Sequence, residues 1–177
     1  MYNIKSLIAL ALVAISFLSM QSCTEQLAEP DTDQAKQLTI DEIKTTKGYT
    51  WYQKGYDKYT YDINVVNEVK AKLQNSGKTF LLFVNPSCAC VGTQEHFPSA
   101  VKILQNAGIS EPVFKVYSMT YPAMKNPFTN ILKINYLPAL FIMKDNVALE
   151  SVFDSLYVFR DKNPKISLEE SLLKCLN

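Results

Sequence analysis

The chain has 177 residues, 47% hydrophobic and 20% charged, with a formal net charge of +1. That length suits one domain with an appendage, and the composition is that of a globular protein with a core of useful size. The near-zero charge gives no footprint for nucleic acid or an acidic partner, and no apolar run reaches the length of a membrane span.

The first residues read as a targeting segment. Lys5 is followed by the apolar run Leu7 to Leu18, then by Ser19, Met20, Gln21, Ser22 and Cys23. A cation, a short apolar stretch and small residues make an export signal. The cysteine just past it resembles a bacterial lipobox, with Met20 where leucine is usual. That resemblance implies a signal peptide over 1–22, diacylation of Cys23 and a lipid anchor in the cell envelope, facing the periplasm or the cell surface. Each buried methylene would contribute about 0.8 kcal/mol to anchoring.

Residues 24 to about 37 are polar and acidic, with Pro30 and no apolar period, so 23–47 reads as a tether. Within it, Thr39 and Glu42 fit a capping box and Leu38 and Ile43 a staple, which predicts a short helix over 40–46. The domain is expected over 48–177. Its first stretch, Gly48 to Asp62, is dense in aromatics (Tyr49, Trp51, Tyr52, Tyr56, Tyr59 and Tyr61) and is broken by Lys54-Gly55. It reads as a hairpin or edge strand, packed as a lid on the sheet.

Val65, Val66, Val69 and Leu73 recur at helical spacing before Gly77, predicting a helix over 63–75. Phe80 to Val84 is a continuous apolar run, expected as a strand buried on both faces. Gly92 and Thr93 open the next helix, with Thr93 as cap, Phe97, Val101, Ile103 and Leu104 on its apolar face and Gly108 ending it. Val113 to Met119 reads as a strand and Ala123 to Ile134 as a helix. Leu137-Pro138 leads into a strand to Met143, and Lys144-Asp145-Asn146 turns into a hairpin partner over Val147 to Phe153. Leu156 to Phe159 extends the sheet or forms a small insertion. Ser167 and Glu170 make a second capping box before a terminal helix carrying Leu168, Leu172, Leu173 and Leu176. This order requires a mixed sheet covered by helices.

The chemistry centres on Cys88 and Cys90, one residue apart between the apolar strand and the helix. Backbone N–H groups at a helix start favour thiolate over thiol, and thiolate is the reactive form. In an exported protein disulfides persist. With Cys23 assigned to lipid, Cys88, Cys90 and Cys175 remain. That odd number leaves either one free thiol or a functional pairing.

Strand Phe80–Val84, the turn Cys88-Ala89-Cys90 and the Leu137-Pro138 step together resemble the thioredoxin-like superfamily, over about 60–176. The resemblance implies an α/β, three-layer sandwich with a central mixed sheet. It also implies that Pro138 is cis and faces the cysteines, and that the Leu137 backbone pairs with an extended substrate. Three positions depart from that family. One residue rather than two separates the cysteines, Ser87 stands where tryptophan is common, and Leu82 replaces a buried acid, for which Glu95 and His96 are nearby substitutes.

The expected activity is thiol–disulfide exchange with protein substrates and an unidentified redox partner. Cys88, expected to be the more exposed, attacks, and Cys90 resolves the mixed disulfide. No cofactor is expected. A ring closed across one residue is tighter than one closed across two, so the pair is expected to be relatively oxidising, above the roughly −270 mV of thioredoxin. Two other readings compete. One is a redox-inactive binding module; the other is a Cu(I) metallochaperone using Cys88, Cys90 and His96. Cys175, in the terminal helix, is expected to be partly buried and structural.

Overall fold

Thr79–Val84 (β2) is the middle of the sheet because five of its six side chains are apolar and buried, which only a strand covered on both faces and paired on both edges tolerates. The computed structural model of the chain describes residues 33–177, which form one compact unit. The signal peptide, Cys23 and its lipidation lie outside the described residues.

Five strands make a mixed sheet in the order β1-β3-β2-β4-β5. They are β1 (Lys36–Leu38), β2, β3 (Phe114–Ser118), β4 (Ala139–Lys144) and β5 (Val147–Ser151). β2 runs parallel to β3, with Phe80 opposite Phe114, and antiparallel to β4, with Phe83 opposite Ala139. Asp145 and Asn146 turn the β4–β5 hairpin with φ of 52° and 62°. A two-residue hairpin loop favours that left-handed pair.

Six helices accompany the sheet: α1 (Ile40–Thr45), α2 (Tyr52–Lys58), α3 (Ile63–Leu73), α4 (Phe97–Asn106), α5 (Val152–Lys162) and α6 (Leu168–Cys175). Both expected capping boxes form, Thr39 with Glu42 on α1 and Ser167 with Glu170 on α6. One core cluster joins residues from all six helices to Phe80, Leu82, Val84, Phe114, Val116, Leu140 and Ile142. Alternate residues Leu81, Phe83, Tyr117, Phe141 and Met143 point to the other face. There they meet Met124, Phe128, Leu132, Ile134 and Leu137.

Four expectations need correction. The tether does not extend to residue 47: β1 pairs with β3, and Leu38, Ile40 and Ile43 are buried in the core. Residues 48–62 hold no strand. A 3-10 turn, Lys47–Tyr49, leads into α2, and the aromatics at 49, 52 and 56 follow a helical period. Gly55 does not break that helix.

The segment 123–134 is irregular rather than helical. Pro127 supplies no N–H, and Asn126 takes the local donors: its Oδ1 accepts from the Phe128 N–H at 2.9 Å. The second face of the sheet is therefore covered by turns. Finally, residues 152–162 are the helix α5, with Val152, Phe153 and Leu156 buried at helical spacing.

Candidate active site at the end of the central strand

β2 ends at Val84, and the chain turns through Asn85–Cys90 before re-entering a helix. Asn85 organises the turn. Its Nδ2 donates to the Thr120 carbonyl at 2.8 Å, and its Oδ1 accepts from the Ser87 N–H at 2.8 Å. Such an Asx turn is what an asparagine after a strand favours.

Cys88 and Cys90 form a disulfide with Cα atoms 5.4 Å apart. Cys90 is exposed and Cys88 half-buried, the reverse of the order expected from sequence. Cys88 sits closer to the strand end, and the strand end is the more enclosed. The Cys90 N–H donates to Cys88 Sγ at 3.3 Å. The Cys90 carbonyl accepts from the Gln94 N–H at 3.0 Å, beginning the helix. The sulfurs thus lie beside a helix start, where N–H groups favour negative charge.

That helix opens with a π turn, Gly92–His96, in which the Phe97 N–H reaches back to the Gly92 carbonyl. Pro98 has no N–H for the Gln94 carbonyl four residues earlier, and the wider turn accommodates it at the junction with α4. Thr93 is not a cap: it is fully buried, and its hydroxyl has no hydrogen-bond partner.

The Leu137–Pro138 bond is cis, as is Glu111–Pro112. Pro138 meets the helix start: a Cβ placed on Gly92 would stand 3.1 Å from Pro138 Cδ and 3.8 Å from the Tyr157 hydroxyl. Gly92, two residues past Cys90, allows this approach because it has no side chain. Val91, Tyr136 and Tyr157 are exposed apolar or aromatic residues next in sequence or in space to these groups.

The candidates for the missing acid lie elsewhere. Leu82 is fully buried in the sheet. Glu95 is exposed and accepts from Lys58 Nζ at 2.9 Å. That hydrogen bond and the lysine charge hold its carboxyl below the usual carboxylate range. His96 is half-buried between the rings of Phe153 and Tyr157, with Arg160 Nη1 3.4 Å from its Nε2. Arginine only donates, so this contact is a hydrogen bond in the tautomer whose Nε2 accepts; Nδ1 is buried without a partner. Burial first, then the Arg160 charge, hold His96 below the usual imidazole range.

Among the described residues, no group of three or more His, Cys, Asp or Glu side chains is gathered to hold a metal ion. No helix among them is long and apolar enough to cross a membrane. Cys175 is half-buried and free, and burial pushes its thiol up to about 11.

Sequence reasoning placed Trp51 in an aromatic cluster but missed its link to the cysteine turn. Its Nε1 donates to the carbonyls of both Gly48 and Pro86, each at 3.1 Å, and so reaches the cysteine turn from a distant segment. Its one signal was composition, since it is the only tryptophan in the chain. Gly92 was noted as a helix start, but only the fold shows what it faces. Comparison of the chain with protein-family models, with curated proteins and with solved structures finds no match.

Proposed function

We propose that the chain is a thioredoxin-like thiol–disulfide oxidoreductase or isomerase of the cell envelope, acting on protein substrates through Cys88 and Cys90 and anchored through acylated Cys23. The observation that carries this reading is a surface disulfide across one residue, Ala89, between the end of a central strand and a helix start that rests on Pro138. The order of strands and the position of the cysteines after β2 support it. Leu137 and Pro138 form the edge on which an extended substrate would lie.

The chemistry is two successive exchanges. In the reducing direction, a cysteine thiolate attacks one sulfur of a substrate disulfide. A protein–substrate S–S bond forms, and the second substrate sulfur leaves as thiolate. The other cysteine then attacks the mixed disulfide, closes Cys88–Cys90 and releases the first substrate sulfur. Two electrons pass to the substrate, and a dithiol partner must return them. Run backwards, the same steps oxidise a substrate dithiol; run halfway and reversed, they isomerise.

The greater exposure of Cys90 supports it as the cysteine that carries the mixed disulfide. Cys88 is the resolving group, and the Cys90 N–H directed at its sulfur stabilises the thiolate that departs when Cys90 is attacked. The tight ring supports a pair more oxidising than thioredoxin.

Trapping tests the reading. With Cys88→Ser, a protein disulfide substrate should accumulate as a mixed disulfide on Cys90, and Cys90→Ser should trap far less. No adduct with either variant would leave a binding module without turnover.

A further inference from the structure

We propose that the segment Lys47–Lys58 is a clamp on the cysteine turn, and that Trp51 within it is a positioning residue that sets how readily Cys88 and Cys90 close. This rests on the thiol–disulfide reading above.

The turn has little holding it from within. Its internal bonds are the Ser87 N–H to Asn85 Oδ1, the Cys90 N–H to Cys88 Sγ at 3.3 Å and a long contact of 3.5 Å from the Cys88 N–H to the Asn85 carbonyl. From outside, Asn85 Nδ2 reaches the Thr120 carbonyl, and the clamp holds the two flanks. On the side before the cysteines, the Trp51 indole N–H reaches the Pro86 carbonyl, two residues from Cys88. Gly48 seats against the same proline, where an added Cβ would stand 2.9 Å from Pro86 Cβ. The indole is itself fixed, with ring centroids 5.6 Å from Tyr49 and 6.2 Å, edge-on, from Phe97.

On the side after the cysteines, Gly55 meets the Gln94 carbonyl and the Pro98 ring so closely that an added Cβ would lie 2.3 Å and 2.6 Å from them. Lys58 pairs with Glu95 one turn away. One short helical segment therefore holds both flanks of a turn that must bring two sulfurs together.

Closing a disulfide requires the thiols to meet, and fixed flanks raise the effective concentration of one at the other. Oxidation by glutathione disulfide removes two electrons and two protons from the dithiol and yields two glutathione thiols. Loss of the indole N–H frees the Pro86 carbonyl, loosens the flank and makes that closure less favourable.

The test equilibrates the full chain and its Trp51→Phe variant with glutathione buffers and reads the ratio of dithiol to disulfide at Cys88 and Cys90. The phenyl ring keeps an aromatic side chain beside Tyr49 and Phe97 and removes the donor. The constant for closure should fall about three- to tenfold, the worth of one hydrogen bond. A change under twofold overturns the proposal. So does an equal fall in Leu172→Val, which loosens the core in α6 away from the turn.

A wild-type measurement covers the case in which Trp51→Phe does not fold. The single indole N–H resonance should shift between the oxidised and reduced protein, and an unmoved resonance overturns the clamp. The constant is read on the protein's own cysteines, so its outcome is separate from catalysis. Full exchange activity in the double variant lacking both thiols would remove the enzyme reading whatever Trp51 does.

Discussion

Gly92 lies against Pro138 closely enough that a single methyl group would stand 3.1 Å from the proline Cδ. The contact ties the helix that begins beside Cys90 to the start of β4. Gly92→Ala gains helix propensity of about 1 kcal/mol and loses a comparable amount to crowding. Its unfolding free energy should therefore change by less than about 1 kcal/mol. Exchange at the cysteines should slow severalfold, because the proline must move. Chemical denaturation and an exchange assay on one preparation check both halves.

Gly55 is a harsher case. A Cβ there meets backbone oxygen at 2.3 Å, in the middle of α2. Gly55→Ala should destabilise by about 1–3 kcal/mol although alanine is the better helix former. Urea unfolding would show it as a lower midpoint with an unchanged slope.

Those two glycines show where the sequence was legible and where it was not. Periodicity and caps alone identified α3, α6, β2 and the β4–β5 hairpin, because each carries its own apolar pattern and end signals. Gly55 misled because it reads as a helix breaker unless one knows that Gln94 and Pro98 press on it. Residues 123–134 have helical spacing, yet Asn126 and Pro127 divert the backbone. Cys88, Cys90 and Pro138 were singled out as candidates from residue type and order, and the fold sets the disulfide beside the helix start that meets Pro138. Trp51 was not singled out, because nothing local links residue 51 to residue 86. The relative exposure of the two cysteines depends on how the strand end is enclosed, which spacing does not encode.

His96 should make stability depend on pH. Burial and Arg160 outweigh the opposing pull of Glu95, so its pKa falls below the ordinary 6.5. A depressed folded value means that the unfolded chain binds the proton first. The stabilisation is present above about 6.5 and is lost as pH falls below it. Thermal melts from pH 7.5 to 5.5 should show a smaller decline in His96→Gln than in wild type. Parallel declines would place the effect on other groups.

Cys175 should be slow to react. Burial raises its thiol to about 11, so little thiolate exists at pH 8. In the reduced protein, iodoacetamide should modify it more than about tenfold more slowly than Cys90. Mass mapping of the alkylated peptides over time gives the ratio. The same shift makes stability fall as pH rises between the unfolded value near 9 and about 11, because unfolding then releases the Cys175 proton.

The most direct measurement is the rate at which the purified protein reduces insulin or repairs a scrambled disulfide substrate, compared with Cys88→Ser and with the double variant lacking both thiols. Turnover is expected in the wild type, with at least about a hundredfold loss in the double variant, since no sulfur remains to form the mixed disulfide. Equal rates in all three proteins would contradict thiol–disulfide exchange at Cys88 and Cys90.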